Sequence, residues 1–286
     1  MSRFAGLRQR LITAVVLVLV LLLVLFALPP WATVSVVALA ILAGAWEWSA
    51  FLHPSRRRLR IAYVMLIALG LLAAWQLSLQ PAGFAGLLAV AALWWLVALG
   101  WIMLAPARGG ATSAAIAGIF TLVPTGVALA RLRFEGEGAW VLLYSLLVIM
   151  AADVGAYFAG HRLGRTKLAP QVSPGKTWEG VLGGFATSLL VAWAGAWGLG
   201  WPSTIVLPIA LGAAAFSVVG DLTESLMKRH TGLKDSGRLF PGHGGVLDRI
   251  DSLSAGVPLL TLGLLKAGLI SGGVLALAGV PAGGLE

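Results

Sequence analysis

The chain has 286 residues, 59% of them hydrophobic and 11% charged, with a formal net charge of +9 and no cysteine. Soluble domains run nearer about 45 to 50% apolar and about 25% charged, so this composition excludes a soluble globule and points to a polytopic membrane protein. Without cysteine there is no disulfide framework, thiol catalysis or cysteine-ligated metal, and basic residues set between apolar runs speak for membrane topology and against nucleic acid as a partner.

The opening segment MSRFAGLRQR carries Arg3, Arg8 and Arg10 and leads into an apolar run from Leu11 to Leu28. Pro29 and Pro30 follow it where a signal peptide would have a small-residue cleavage site, so a retained first helix is predicted. A second run, Thr33 to Leu52, carries Glu47 near its far end and is followed by Arg56, Arg57, Arg58 and Arg60. Further apolar runs lie at 61–80, 84–105, 112–130, 139–160, 180–200, 203–220 and 253–280. Each is near the roughly 20 residues a helix needs to cross a bilayer.

The predicted fold is therefore an all-α polytopic membrane protein with nine transmembrane helices. It forms one integral membrane domain over 1–286, with N-terminal helices in 1–138 and C-terminal helices in 139–286. Nine is odd, so the termini fall on opposite sides. With the N-terminus cytoplasmic and the C-terminus outside, seventeen of the twenty Lys and Arg residues are cytoplasmic, Arg131 and Arg133 are outside, and Lys266 lies within the last run. That asymmetry is what the positive-inside rule asks for.

Polar residues inside such a chain are costly in lipid and tend to face a bundle interior or a watery cavity. Asp153 lies in the sixth run with Gly155, Gly160 and Gly164 after it, at a spacing that lets helices approach closely. It reads either as a functional carboxylate or as a satisfied structural one. The next loop, QVSPGKTWEG, contains Gly-Lys-Thr, but Pro170 stands where a Walker loop needs glycine and a membrane helix precedes it. Ser173, Lys176 and Thr177 remain as donors for substrate, and Glu179 falls in the first turn of the following helix, where a carboxylate suits the positive helix end. A basic topogenic loop is the alternative.

The stretch from Asp221 to Asp251 concentrates five of the eleven acidic residues and five of the twenty Lys and Arg residues. If the eighth helix continues past the membrane, Asp221, Glu224, Ser225 and Lys228 share one face at i, i+3, i+4 and i+7. Asp248 and Asp251 are three apart, so a helical DRID sets them side by side. Adjacent carboxylates with oxygen donors suit a hard divalent cation such as Mg²⁺, which keeps waters and substrate phosphates as its other ligands. Between these elements, Gly244 and Gly245 with Gly237 and Gly242 allow close backbone approach to an anion. Lys228, Arg229, Lys234, Arg238 and Arg249 are placed to neutralise phosphate oxygens. Asp235 either orients Lys234 or approaches the metal, and His243 either donates to phosphate or stabilises a turn. Together these features point to phosphoryl or nucleotidyl transfer.

The run SLMKRHTGLKDSGRLFPGHGGVLDRID, Ser225 to Asp251, resembles the signature of the phosphatidate cytidylyltransferases, the CDP-diacylglycerol synthases. The likeness extends over roughly Ala152 to Leu253, whereas the first 130 residues match only as hydrophobic spans. The resemblance implies that CTP and phosphatidate give CDP-diacylglycerol and pyrophosphate, that Mg²⁺ is required with a second metal ion left open, and that the enzyme is an inner-membrane homodimer with its site facing the cytoplasm. On that reading Asp248, Asp251 and Asp221 hold metal. Lys228, Arg229, Lys234, Arg249 and Lys176 contact phosphate. Three rivals stay open: a secondary transporter, which should show related halves and a midplane site; a lipid kinase, which would favour a positioned base; and a structural scaffold.

Overall fold

The computed structural model describes residue 13 and residues 15–52, 55–233, 236–237 and 244–272. Its helices are α1 (Val15–Ala27, π-helical over Leu23–Ala27), α2 (Pro30–Leu52), α3 (Arg57–Ser78), α4 (Pro81–Leu104), α5 (Ala111–Leu132), α6 (Gly138–Leu163), α7 (Trp178–Gly198), α8 (Ser203–Thr231) and α9 (Leu247–Lys266). Seven of them, α2 to α8, are long and apolar enough to cross a membrane by length and composition. The described part of α1 is shorter, and α9 carries Asp248, Arg249, Asp251 and Lys266 within its 20 residues, so neither meets that measure.

Local chemistry sets the boundaries. Pro81 opens α4 in its first turn, where a missing N–H is harmless. Thr177 caps α7 by accepting the Gly180 N–H at 3.2 Å. Gly232 ends α8 with φ of 70°, which lets the Gly232 and Leu233 N–H groups reach the Arg229 and Lys228 carbonyls at 3.3 and 3.0 Å. The 29 residues of α8 make a rod of about 43 Å, longer than the roughly 30 Å of hydrocarbon, and its Asp221–Thr231 end, which carries Asp221, Glu224, Lys228 and Arg229, is the one suited to project beyond a lipid core.

Two expectations change. The chain is not wholly helical, because β1 (Lys167–Ala169) and β2 (Ser173–Thr177) pair as an antiparallel hairpin, with Lys167 opposite Thr177. Pro170 and Pro174 disfavour helix in that loop, and pairing strands satisfies backbone groups a helix would otherwise have satisfied. The last apolar helix, expected over 253–280, begins at Leu247 and ends at Lys266, because Gly268 at φ 70° closes it in the same way as Gly232 closes α8. Residues 273–280 of that expectation lie outside the described residues.

The most buried of the seven long helices is α5, which packs against α2, α3 and α9. Leu66, Leu69, Leu72, Leu93 and Val97 of α3 and α4 are exposed, as lipid-facing side chains would be. The C-terminal end of α5 gathers two other chain segments. Arg131 is buried in its last turn rather than on a loop, lies over the Trp75 and Phe84 rings at 5.9 and 5.3 Å, and donates to the Gly272 carbonyl at 2.7 Å. Arg133 donates to the Leu25 carbonyl of α1 at 3.2 Å.

Helices α6 and α7 pack closely. A Cβ on Gly184 would lie 2.6 Å from the Ala152 carbonyl oxygen, and Thr187 Oγ1 donates across the interface to the Ala151 carbonyl at 2.7 Å. Small residues permit that approach. This pair forms one wall of the cavity that holds the polar residues.

Candidate active site

A cavity of about 540 Å³ opens between α6, the β2–α7 junction, α8 and the start of α9, within the size range of small-ligand sites. Asp153, Asp221, Asp248 and Asp251 line it, with Lys176 and Arg249 as its cationic lining residues. Ala156, Gly180, Val181, Gly184, Ala214 and Val218 form its apolar walls.

Each polar side chain is placed by a specific piece of backbone. Lys176, on β2, pairs with Asp221 of α8. Ser225, one turn further along α8, donates to Asp221 Oδ1 at 3.3 Å. Glu224 is buried, and Lys228 one turn on lies 3.0 Å from its Oε1. The expected helical face of Asp221, Glu224, Ser225 and Lys228 is therefore formed, with i,i+4 partners in contact.

Lys228 also donates to Asp248 Oδ1 at 2.6 Å, so its ammonium bridges two carboxylates. Asp248 Oδ2 accepts the Gly245 N–H at 2.8 Å and the Ser236 N–H at 3.3 Å. Burial on its own would raise the Asp248 carboxyl; the Lys228 ammonium and the two N–H donors outweigh it and hold the group below the ordinary carboxylate range. Asp251 accepts the Ser252 N–H at 2.8 Å and shares charge interactions with Asp221, Glu224 and Asp153. Asp153, read from the sequence as either functional or structural, accepts a hydrogen bond from Ser252 Oγ at 2.8 Å and lines the cavity.

Other predicted residues take supporting positions. Arg229 donates to the Val172 carbonyl at 3.3 Å, tying α8 to the hairpin turn. Thr177 caps α7, and Glu179 accepts the Arg165 and Thr166 N–H groups at 3.1 Å, so it holds the loop before the hairpin. Ser173 is half-buried at the start of β2. Gly244 takes φ of 79°, and a Cβ there would meet Asp248 Oδ2 at 2.5 Å. Lys234, Asp235, Arg238, Gly242 and His243 lie outside the described residues.

Among the described residues no three acidic or histidine side chains are arranged as a metal cage. The donor set nevertheless fits a hard cation, because all the candidates are carboxylate oxygens and outnumber the cations lining the same cavity. Oε2 of the buried Glu224 also lacks a partner among the described residues, whereas its Oε1 meets Lys228. Mg²⁺ typically takes one or two carboxylates and completes its shell with water and substrate phosphate.

In the sequence Glu47 stands as an isolated acid near the end of the second run. In the fold it is buried at the end of α2 and reaches the signature loop, accepting from Leu247 N at 2.9 Å and Ser236 Oγ at 3.2 Å. Its one sequence signal is a carboxylate inside an apolar run.

The Cytidylyltransferase family model matches residues 8–265. The chain is 39% identical to the phosphatidate cytidylyltransferase of Pseudomonas aeruginosa over 269 residues, covering 92% of this chain and 98% of the relative. It is 36% identical to that of Haemophilus influenzae over 285 residues, covering 89% and 97%. The phosphatidate cytidylyltransferase of Synechocystis is 50% identical over 125 residues, covering 43% of this chain and 42% of the relative. A match that spans nine-tenths of the chain takes in α8, α9 and the cavity residues between them: the chain belongs to the cytidylyltransferase family.

Proposed function

We propose that this protein transfers CMP from CTP to phosphatidate, giving CDP-diacylglycerol and pyrophosphate for phospholipid synthesis. The observation that carries this reading is the cavity lined by four carboxylates, Lys176 and Arg249 at the projecting end of α8, in a chain whose full-length relatives are phosphatidate cytidylyltransferases. A site at a membrane surface serves a soluble nucleotide and a lipid whose acyl chains stay in the bilayer.

The chemistry needs little from a protein base. The phosphomonoester of phosphatidate has a second pKa near about 6 and is already a nucleophile at neutral pH. Its oxygen attacks the α-phosphorus of CTP in line; the bond from that phosphorus to the bridging oxygen of the β-phosphate breaks, and pyrophosphate leaves with the electron pair. Lys176 and Arg249 face the cavity and neutralise charge that moves onto the leaving group. Lys228 keeps Asp248 and Glu224 fixed, and the apolar walls of α7 and α8 limit water. Asp221 and Asp251, with Asp153 beside them, would hold Mg²⁺, which when bound screens the triphosphate and polarises the α-phosphoryl group. A second metal ion has the same carboxylates available.

The same reading places the chain in the inner membrane with the site facing the cytoplasm, the N-terminus inside and the C-terminus outside. Nine crossings are supported by the ends of α1 and α9: Leu25 and Gly272 both meet the C-terminal end of α5 through Arg133 and Arg131, whereas the other end of α9 lies beside Lys228. The homodimer rests on the family likeness. The test of function is product formation by the purified protein in detergent with CTP, phosphatidate and Mg²⁺. CDP-diacylglycerol and pyrophosphate in equal amounts are expected, and their absence with every nucleotide tried would sink the proposal.

A further inference from the structure

Glu47 is a buried carboxylate with no ion pair among the described residues. Burying a charge in that way is costly unless donors surround it. It sits on the face of α2 that packs on the start of α9, where a Cβ on Gly44 would lie 3.2 Å from Leu247 Cδ2. Its Oε2 accepts the Leu247 N–H at 2.9 Å. Leu247 is the first residue of α9, and the local N-cap, Val246, supplies no side-chain bond. The first turn of α9 is thus capped by a residue 200 positions away, and a carboxylate at that place also complements the helix dipole.

The same Oε2 accepts from Ser236 Oγ at 3.2 Å, at the other end of the signature loop. Gly237 and Gly245 press on the carboxylate from two sides, so closely that a Cβ on either would collide with it. Asp248 grips the same two ends through the Ser236 and Gly245 N–H groups. The loop from 236 to 245 is therefore closed between two carboxylates, one from the signature itself and one from the N-terminal half of the chain.

We infer that Glu47 is a positioning residue: by capping α9 and pinning both ends of the 236–245 loop, it sets Asp248, Arg249 and Asp251 on the cavity. It touches none of the cavity space itself. The kinetic consequence rests on the cytidylyltransferase reading; the structural consequence does not.

The test uses full-length wild type, Glu47→Gln and Glu47→Ala in detergent. Hydrogen–deuterium exchange over 233–250 is read beside kcat and KM for both substrates, with melting temperature as the control for folding. Glu47→Gln keeps the shape and one accepting oxygen, so it should fold even if Glu47→Ala does not. In Glu47→Gln the exchange rate over 233–250 should rise about 10-fold while other peptides stay unchanged, and kcat should fall about 10- to 100-fold with KM for CTP within about 3-fold, since small misplacement of reacting groups costs on that order. Glu47→Ala, where it folds, should be worse on both readouts. Unchanged exchange in 233–250 and unchanged kcat in Glu47→Gln would overturn the inference, as would a rise in exchange spread evenly over the chain with kcat per folded molecule preserved. Wild-type protein inactive on CTP and phosphatidate would instead count against the proposed function, and the exchange pattern would then decide on Glu47.

Discussion

Lys228 Nζ lies 2.6 Å from Asp248 Oδ1, joining α8 to α9 across 20 residues of chain that contain most of the family signature. The same ammonium lies 3.0 Å from Glu224 Oε1, and the three side chains are between 3 and 16% exposed. A cation so enclosed holds two helices together before it meets any substrate.

Lys228→Met should therefore act on stability first. Removing the ammonium leaves the buried Glu224 carboxylate facing the half-buried Asp248; breaking a fully buried pair costs about 3 to 5 kcal/mol, and the part-exposed Asp248 puts this one at about the lower end of that range. Adding Glu224→Gln removes one of those charges and should recover part of the loss. Reversible unfolding of the single and double variants measures this, and equal stability of Lys228→Met and wild type would show that the bridge is not what joins the helices.

Lys176 should behave differently although it too pairs with a carboxylate. Its side chain and that of Asp221 are 23 and 29% exposed, and pairs open to water contribute under about 1 kcal/mol. Lys176→Ala should melt close to wild type but lose about 100-fold in kcat/KM for CTP, because a positioned cation facing the leaving group is worth on that order. A large drop in melting temperature with activity per folded molecule intact would reverse the assignment.

Gly184→Val tests the wall of the cavity. The new side chain begins 2.6 Å from the Ala152 carbonyl oxygen, so α6 and α7 must separate, and overpacking of that kind costs about 1 to 3 kcal/mol. Activity should fall with stability, because Ala152, Asp153 and Gly184 all line the cavity. Gly212, which has open space around its Cβ position, is the control: Gly212→Ala should leave both unchanged.

Helix extents in the apolar half and the polar face of α8 were legible in the sequence, because both follow from hydropathy and a 3.6-residue period. The partners of those residues were not. Asp248 stands beside Asp251 in the sequence, and only the fold shows that its oxygens meet Lys228, Ser236 and Gly245. Asp153 meets Ser252 over 99 residues and Glu47 meets Leu247 over 200, and periodicity carries no information at that range. The hairpin is not legible in the sequence, because strands of three and five residues are too short for alternation to register.

The lack of native cysteine makes topology directly testable. Single cysteines at Ser55, exposed before α3, and at Gly136, exposed between α5 and α6, should react with a membrane-impermeant maleimide from opposite sides. Gly136→Cys should label in intact cells, whereas Ser55→Cys should label only in inverted vesicles. The reverse pattern would place the site on the wrong side for cytoplasmic CTP.

Metal dependence should separate Asp251 from Asp248. Asp248 has both oxygens occupied by Lys228 and backbone donors, whereas Asp251 lines the cavity together with Asp221 and Asp153, carboxylates whose mutual repulsion a divalent cation would relieve. Chelation should abolish product formation and added Mg²⁺ should restore it. Asp251→Asn should raise the Mg²⁺ concentration for half-maximal rate at least about 10-fold and remove the Mg²⁺-induced rise in melting temperature that linkage requires of a bound ion. Asp248→Asn should instead lower the melting temperature at every Mg²⁺ concentration, because it loosens the Lys228 bridge and the loop ends, and should keep a Mg²⁺ requirement near that of wild type. If the two variants exchange these behaviours, Asp248 is the metal ligand and the Lys228 contact must open when metal and CTP bind.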